Sequence, residues 1–234
     1  MNRFEGKVAV ITGAGSGIGR ALAQRLAAKG ARLALSDVNS RGLDETLGSL
    51  PEATESRGYA LDVSDRKAVF AHAGDVQRDF GTAHLVINNA GATMIGTIEH
   101  MTIEEIEWQL GVNLWGVIYG TKAFLPMMLA QSEGAIVNIS KFGVRAFCVH
   151  PGGIRTSIEK SGRRCSASGE EEARFSMLAD KLLQTTAEDC AADIIAGLER
   201  GSKRIITGHR SSTLYWLSRL LPNAYPAVLK VVAS

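Results

Sequence analysis

Near the start of the chain, a run of glycines and small residues has the composition of a turn that binds phosphate groups. Residues 12–19 read TGAGSGIG and stand between an apolar, strand-like segment and the helix-forming stretch RALAQRLAAKG. Glycines permit positive φ and bring the main chain against a pyrophosphate, while the N–H groups and dipole of a helix start supply positive potential. A glycine-rich turn alone is a weak signal, but a strand before it and a helix after it strengthen the interpretation. We therefore expect Gly13, Ser16, Gly17, Ile18 and Gly19 to contact a dinucleotide.

Asp37 ends the second apolar run, about twenty residues beyond the glycines. A carboxylate there can accept hydrogen bonds from the ribose hydroxyls of adenosine, and it would repel a 2′-phosphate. The glycine turn contains no lysine or arginine to offset that repulsion, although Arg41 lies nearby. The pattern favours NAD(H) over NADP(H). The alternative is that Asp37 forms a turn or caps the next helix.

Three further polar or glycine-containing clusters follow predicted strands. They are Asp62-Val63, NNAG at residues 88–91, and PGGIRT at residues 151–156. Because ligands of open α/β sheets bind outside the carboxyl ends of the strands, we expect these clusters to meet at one edge. Two adjacent asparagines can tie neighbouring strands through their amides. The simpler alternatives are that Asp62 caps a helix and that NNAG is an ordinary turn.

These clusters follow short apolar runs, which alternate along the chain with segments of helical period. This alternation predicts βαβ units with a parallel sheet. The predicted strands are Lys7–Thr12, Arg32–Asp37, Gly58–Leu61, His84–Asn88, Ala135–Ser140, Arg145–His150 and Arg204–Thr207. Thr102 and Glu105 form a capping box before a long helix that runs to about Ala130. We expect one domain over residues 1–234, with a mobile substrate loop at 160–176 beside a pocket that Met94 and Ile95 help to line.

The glycine spacing TGxxxGxG together with NNAG resembles the short-chain dehydrogenase/reductase family along nearly the whole chain. The resemblance implies a three-layer, doubly wound Rossmann fold with a mostly parallel sheet of about seven strands. It also implies hydride transfer between NAD and a secondary alcohol or ketone. The cofactor contacts it adds are Asp62 and Val63 at the adenine, Asn89, Ala90 and Gly91 beneath the cofactor, Lys141, and Pro151, Gly152, Ile154 and Thr156 beside the nicotinamide.

The family's proton relay is only partly present. Asn113 lies in register with Ile106, Leu110 and Val117, so its amide must be satisfied internally. By resemblance Asn113, Ser140 and Lys141 are relay members, with Ser140 at or next to the catalytic serine. The family's tyrosine stands four residues before the lysine, where this chain has Val137. The pair Tyr119 and Lys122 has the wrong spacing.

The chain is also too short between two predicted strands. Ten residues separate Ser140 from Pro151, whereas a parallel crossover takes about a dozen or more besides the strand itself. Either the sequence omits residues of the natural polypeptide, or the molecule is a genuine deletion that lacks a helix. The first is favoured because one bare sheet face would be destabilising. Under the second, the protein would be a catalytically silent NAD-binding sensor or scaffold.

Composition bounds the remaining properties. The 234 residues carry a net charge of +2 and are 45% hydrophobic, which indicates a globular domain and no nucleic-acid partner. Five scattered histidines and three cysteines lack ligand spacing, so we expect no metal. A cytoplasmic homodimer or homotetramer acting on a small apolar alcohol or ketone is the expected form. The apolar C-terminal helix or tail at 209–234 is expected to pack on protein rather than on a membrane.

Overall fold

The computed structural model describes residues 3–139, 148–151, 163–164, 185–202 and 204–208. The strands are β1 (Val8–Thr12), β2 (Arg32–Asp37), β3 (Ser56–Ala60), β4 (Leu85–Asn88), β5 (Met94–Ile95), β6 (Ala135–Ile139), β7 (Cys148–Pro151), β8 (Arg163–Arg164) and β9 (Arg204–Thr207). The helices are α1 (Gly17–Ala27), α2 (Ser40–Gly48), α3 (Arg66–Phe80), α4 (Ile103–Leu110), α5 (Gly116–Ala130) and α6 (Ala187–Glu199), with a π-helical segment, Gly111–Trp115, joining α4 to α5.

Seven strands form one parallel sheet in the order β3-β2-β1-β4-β6-β7-β9. The chain winds outward in one direction from β1 to β3 and in the other from β4 to β9. The strand order therefore reverses between β1 and β4, where ligands of doubly wound sheets bind. The predicted Rossmann architecture with about seven strands is confirmed.

The two faces of the sheet bury separate hydrophobic layers because successive strand residues point to opposite sides. Ala9 and Ile11 of β1 pack against α1 and α6 on one side. Val8 and Val10 pack against α3 and α5 on the other. All five residues of β1 are buried, as expected for a strand covered on both faces. The result is the three-layer arrangement that the sequence pattern predicts.

Side-chain caps set where several helices begin. Asp65 accepts hydrogen bonds from two N–H groups at the start of α3, and Thr186 caps α6. Thr102 and Glu105 form the predicted capping box at the start of α4. Asn39 rather than Asp37 caps α2. These caps satisfy N–H groups that have no partner within their own helix.

Several predicted boundaries differ from the structure: β1 and β4 each begin one residue later than predicted, at Val8 and Leu85. The third strand begins and ends earlier than Gly58–Leu61, and β7 extends to Pro151. The long helix contains a π-helical segment, which the period of apolar residues does not reveal. Because a π turn is wider than an α turn, it rotates the helix face. Leu110, in register with Asn113 on the predicted apolar stripe, is exposed.

Strands β6 and β7 are parallel neighbours, with Asn138 opposite Cys148. Only residues 140–147 connect them. This connection is shorter than the dozen or more residues of an ordinary parallel crossover. Residues 140–147 and the tail 209–234 lie outside the described residues. Of the predicted substrate loop 160–176, only Arg163 and Arg164 are described.

His72 on α3 makes the fold sensitive to acid. Its ring is buried between Tyr59 and Phe124, and neither ring nitrogen has a hydrogen-bond partner among the described residues. Burial lowers the pKa of His72 to about 4, although the nearby charge of Asp75 opposes the shift. The neutral ring is thus favoured in the folded state, and its contribution to stability is present above about pH 6.5 and lost as the pH falls towards 4.

We predict that a His72→Leu variant loses less stability than the wild type between pH 7 and pH 4. A shift of this size corresponds to about 3 kcal/mol in the free energy of unfolding. Urea unfolding of both proteins at several pH values measures the difference, and carboxylates that titrate in both proteins cancel in the comparison. Parallel stability curves would show that His72 does not carry the acid sensitivity.

Candidate functional site

The glycine turn between β1 and α1 is packed so closely that side chains are excluded from it. Gly13 has a φ of +66°, and a Cβ there would lie 2.8 Å from Cα of Ala90. A Cβ on Gly19 would lie 2.1 Å from the carbonyl oxygen of Gly13. Gly17, at the start of α1, has a φ of +51°. These positions demand glycine, and the turn presents main-chain atoms and the N-terminus of α1 at the carboxyl edge of the sheet.

Thr12 joins the glycine turn to the end of β4. Its hydroxyl oxygen accepts hydrogen bonds from the main-chain N–H groups of Asn89 and Ala90, each at 3.0 Å. In return, the side-chain amide of Asn89 donates to the carbonyl oxygens of Thr12 and Gly13 at 2.9 and 3.0 Å. The two segments that flank the reversal in strand order are thus held as one unit. The sequence motif did not identify Thr12 as a member of this unit.

Asn88 ties the next strand and helix to the same edge. Its amide nitrogen donates to Oδ1 of Asn138 on β6 at 2.8 Å and to the hydroxyl of Thr121 on α5 at 3.4 Å. A Cβ on Gly120 would lie 2.2 Å from Oδ1 of Asn88, so α5 can approach only because that position is glycine. The two asparagines of NNAG therefore fasten β4 to β1 on one side and to β6 on the other.

Asp37 lies at the end of β2 and faces the glycine turn. One carboxylate oxygen accepts a hydrogen bond from the N–H of Gly15 at 2.8 Å, and the other accepts from the N–H of Asn39 at 2.8 Å. A carboxylate has lone pairs beyond these two, so it can still accept from a ligand hydroxyl. Asp37 thus both braces the turn and presents negative charge at the same edge.

Arg20 and Arg41 are engaged with partners other than Asp37. Arg20 donates to the carbonyl oxygens of Gly15 and Gly42 and pairs with Glu45 at 3.1 Å. Arg41 pairs with the same Glu45 at 3.4 Å, and its side chain is almost fully exposed. Neither arginine pairs with Asp37, so the negative charge of Asp37 is not offset by a described ion pair.

Asp62 and Val63 follow β3 at this edge. Oδ1 of Asp62 accepts hydrogen bonds from the N–H and the hydroxyl of Ser64, while Asp65, not Asp62, caps α3. Val63 is buried, and a Cβ on Gly116 would lie 2.8 Å from one of its methyl groups. The loop after β3 is therefore seated directly on the start of α5.

Asn113 lies in the π-helical segment, and its amide is satisfied by main chain. Its Oδ1 accepts from the N–H of Ala92 at 2.9 Å, and its Nδ2 donates to the carbonyl oxygen of Ala92 at 2.8 Å. These paired bonds hold the segment that follows Asn89, Ala90 and Gly91 against the helix. π-helical segments are frequent at functional sites, and this one aims a polar side chain at the edge where the strand order reverses.

Only some of the remaining predicted site residues lie in the described part of the chain. Ser140, Lys141, Gly152, Ile154 and Thr156 lie outside the described residues. Pro151 ends β7, in register with Thr207 of β9. The three predicted strand ends at β1, β4 and β7 therefore share one edge of the sheet.

No described side chain takes the place of the family's tyrosine. Val137, four residues before Lys141, is fully buried in β6. Tyr119 stacks on Trp115 within the long helix. The Tyr59 hydroxyl donates to Asp79, and burial together with that carboxylate raises the pKa of Tyr59. In the described part of the chain, no group of three metal-ligating side chains comes together.

The main-chain cradle suits a dinucleotide diphosphate. Glycine at positions 13 and 19 lets the turn pack closely on itself and on the end of β4. The start of α1 presents main-chain N–H groups that can bind a diphosphate. Asp37, one strand away, can accept from ribose hydroxyls. Such a cofactor would supply the acceptor or donor of a hydride, and the residues described here would bind and orient it.

Comparison with known proteins supports this interpretation of the edge. Residues 7–142 match the family described as short chain dehydrogenase. A protein of Mycobacterium tuberculosis named putative oxidoreductase SadH is 40% identical over 263 aligned positions, which cover 96% of this chain and 94% of the relative. D-threitol dehydrogenase of Mycolicibacterium smegmatis is 37% identical over 59% of this chain and 54% of its own length.

Solved structures have the same fold. A short-chain dehydrogenase/reductase of Burkholderia phymatum in complex with NAD superposes with a TM-score of 0.83 and 27% identity, over 97% of this chain and 96% of that one. Levodione reductase gives a TM-score of 0.76 with 27% identity, over 90% of this chain and 99% of that one. Among the described residues, no helix has the length and apolarity to cross a bilayer.

The alignment with SadH is longer than the part of this chain that it covers. The alignment with SadH has 263 positions, whereas 96% of this chain of 234 residues is about 225, so about 38 positions of the relative face gaps in this chain. The match to the family ends at residue 142, directly after Lys141. A difference of this size exceeds the dozen or more residues that a parallel crossover takes.

Proposed function

The chain belongs to the short-chain dehydrogenase/reductase family, and from that premise we propose that it is an NAD-dependent oxidoreductase that interconverts a secondary alcohol and a ketone. One observation carries the proposal: the glycine turn, Asp37 and the Asn89–Gly91 segment converge where the strand order reverses. In the oxidising direction, a bound nicotinamide would accept a hydride from the alcohol carbon, and the hydroxyl proton would pass to water. The expected substrate is a small molecule with an apolar body.

Within the single proposed domain, the cofactor contacts follow the strand ends. Gly13, Ser16, Gly17, Ile18 and Gly19 would hold the diphosphate. Asp37, Asp62 and Val63 would face the adenosine. Asn89, Ala90 and Gly91 would lie beneath the nicotinamide half, where Pro151, Gly152, Ile154 and Thr156 are expected to fix the carboxamide.

At the reacting oxygen the chain retains Asn113 and Lys141, and Ser140 lies at or beside the serine that would polarise the oxygen. Asn113 already holds the main chain of Ala92 in place. The tyrosine of the relay has no counterpart in this sequence. A silent NAD-binding sensor or scaffold is the less favoured alternative, because the similar proteins are named as dehydrogenases and oxidoreductases.

Titration of NADH into the intact protein tests the proposal. We expect saturable binding by calorimetry and by NADH fluorescence, followed by NAD reduction in a screen of secondary alcohols. The intact mass of the protein must first be measured by mass spectrometry. This sequence corresponds to 25.0 kDa, and a complete crossover between β6 and β7 would add several kilodaltons. Absence of NADH binding would overturn the proposal, whereas binding without turnover of any alcohol or ketone would favour the silent alternative.

Asp37 is proposed to select NAD(H) over NADP(H). An Asp37→Asn variant removes the charge that would repel a 2′-phosphate while keeping an oxygen that can accept from Gly15. We expect the ratio of the NADPH and NADH dissociation constants to fall about tenfold, since two charges a few ångströms apart near a surface interact by about 1 to 4 kcal/mol. Glu52→Gln, which removes an exposed negative charge from the loop before β3 at the opposite edge of the sheet, serves as the comparison. An unchanged ratio in Asp37→Asn would remove Asp37 as the selecting residue.

The proposed homo-oligomer is supported by an exposed stripe along the helix from α4 to α5. Its apolar members recur at helical spacing and include Ile103, Leu110, Leu114, Leu125 and Leu129, the last 67% exposed. A stripe of this kind on a soluble domain marks an interaction surface. A second copy of the chain is the occupant we propose, because the charges on the stripe are self-complementary.

Glu107 and Lys122 are exposed on the same stripe, at equal distances along the sequence on either side of Leu114 and Trp115. A two-fold axis at that midpoint would run the two helices antiparallel and set Glu107 opposite Lys122 twice in each dimer, as an isologous contact requires. The same axis would set Ile103 opposite Pro126, next to Leu125. The stripe thus matches itself in charge.

We predict that Glu107→Lys and Lys122→Glu each raise the dimer dissociation constant about tenfold, because each places like charges in contact twice. The double variant, which restores opposite charges, should recover the wild-type constant. Analytical ultracentrifugation over a range of protein concentrations measures all four proteins. A wild type that stays monomeric, or a double variant as weak as the single ones, would exclude this interface.

A further inference from the structure

Arg20, near the start of α1, lies at the centre of a hydrogen-bond cluster behind the glycine turn. Its Nη2 atom donates to the carbonyl oxygens of Gly15 at 2.6 Å and Gly42 at 3.1 Å. Its Nε atom donates to the hydroxyl oxygen of Thr46 at 2.9 Å. Gly42 and Thr46 belong to α2, so this one side chain joins the glycine turn to the helix that follows Asp37.

The glycine turn and α2 are in close main-chain contact at this cluster. A Cβ on Gly42 would lie 2.8 Å from the carbonyl oxygen of Gly15, and a Cβ on Gly15 would lie 2.9 Å from Cγ of Asp37. Thr46 is buried, and its hydroxyl donates to the carbonyl oxygen of Ala14 at 2.9 Å. Because such close packing transmits small movements, a shift of α2 would displace both the turn and the carboxylate.

The hydrogen bonds of the cluster close into a ring that contains Asp37. The N–H of Gly15 donates to one carboxylate oxygen of Asp37, and the carbonyl oxygen of Gly15 accepts from Arg20. The other carboxylate oxygen accepts from the N–H of Asn39, whose side chain accepts from the N–H of Gly42. The carbonyl oxygen of Gly42 then accepts from Arg20, which completes the ring. The carboxylate is therefore held on both sides, and Arg20 closes the ring opposite it.

We infer that Arg20 is a positioning residue for the adenosine half of the cofactor, because it holds Asp37 where the carboxylate can accept from the ribose hydroxyls. The inference rests on the proposed function, in which Asp37 faces the adenosine. Arg20 would act through Gly15 and Gly42 rather than by contact with the ligand. Without its guanidinium, two carbonyl oxygens lose a shared donor and the turn separates from α2. Hydrogen bonds weaken steeply when their geometry is disturbed, so the carboxylate would bind the ribose poorly.

The test compares AMP with 2′-deoxy-AMP as ligands of the intact protein. Each is titrated against bound NADH, and its displacement of NADH is followed by fluorescence. We expect the wild type to bind AMP about tenfold more tightly, the usual size of one hydrogen bond to a charged group. An Arg20→Gln variant should lose this preference, so that the ratio of the two dissociation constants approaches one. The two ligands carry the same charge, so the ratio does not report the loss of positive charge itself.

Matched variants separate this role from a general effect on the helix. Arg25, also on α1, donates to the carbonyl oxygen of Glu188 on α6, and Arg25→Gln should retain the preference for AMP. Thr46→Val removes the oxygen that accepts from Arg20 and should lower the ratio, whereas Thr46→Ser should keep it. Thr46→Val gives the same test if Arg20→Gln does not fold. Urea unfolding of each variant is measured alongside, since a merely structural role would lower stability without changing the ratio.

Two results overturn the inference while NADH binding leaves the proposed function intact. One is a preference for AMP that survives in Arg20→Gln or Thr46→Val, and the other is a wild type with equal affinity for AMP and 2′-deoxy-AMP. Failure of NADH to bind the wild type overturns the proposed function itself, and the inference with it.

Discussion

A Gly19→Ala variant is expected to lose at least tenfold in NADH affinity, which corresponds to about 1.4 kcal/mol. The added methyl group would lie 2.1 Å from the carbonyl oxygen of Gly13 and 2.7 Å from the side-chain amide of Asn89. Neither neighbour can give way freely, since the first is main chain and the second already donates two hydrogen bonds. The turn must open, and the main-chain atoms that would cradle the diphosphate move with it.

Gly74→Ala is the matched control for this change. Gly74 is exposed in the middle of α3, and a Cβ there meets nothing within 4 Å. Alanine is the better helix former by about 1 kcal/mol, so this variant should be slightly more stable and bind NADH as the wild type does. Calorimetric NADH titration and thermal unfolding of both variants give the comparison. Normal affinity in Gly19→Ala would show that the turn does not hold the cofactor.

A Thr12→Val variant is expected to lose about 2 kcal/mol of stability and to bind NADH about tenfold more weakly. Valine has nearly the same shape as threonine but lacks the oxygen that accepts from the N–H groups of Asn89 and Ala90. Leaving a buried donor unpaired costs about 1 to 3 kcal/mol, and here two partly buried donors lose their acceptor. The segment beneath the nicotinamide would then shift away from the glycine turn.

Thr12→Ser retains the hydroxyl and should behave nearly as the wild type in both measurements. Urea unfolding reports the free energy of unfolding, and NADH fluorescence reports the affinity. If valine and serine gave equal results, the hydroxyl bridge between β1 and β4 would not be what holds the two halves of the edge together. The serine variant separates that bridge from the packing of the side chain.

The sequence has no tyrosine four residues before Lys141, and the connection that follows β6 is short. In this chain the position four residues before Lys141 is Val137, which is buried inside β6, so no side chain placed there could reach a substrate. The relative SadH has about 38 aligned positions without a counterpart here, by the alignment of 263 positions against 96% of 234 residues. Turnover and intact mass must therefore be measured on the same preparation.

Several features of the fold follow from local sequence and were predicted on that basis. β2 and β9 match their predicted bounds because short apolar runs between turn residues can form only buried strands in a chain of alternating strands and helices. The capping box of Thr102 and Glu105 marks a helix start for a reason confined to four residues. The glycine turn is likewise a local feature, because glycine adopts positive φ readily wherever it occurs.

Other features depend on contacts between distant segments, and no local pattern reveals them. The π-helical segment lies where Gly111 and Gly116 let the helix approach Ser64 and Val63 closely. Asp37 was predicted as a ribose contact, but its hydrogen bond to Gly15 arises only when β2 lies beside β1. The pairing of Met94 with Arg163 joins segments from two strand ends.

By itself, the amino-acid sequence determined the order of the main-sheet strands and the helices, the capping box at the start of α4 and the family to which the edge motifs point, because each depends on residue types a few positions apart. The tertiary structure alone decided which side chains share that edge. Thr12 meets Asn89, Asn113 meets Ala92, and Arg20 meets Gly42, because a parallel sheet collects the carboxyl ends of strands that are far apart in the chain.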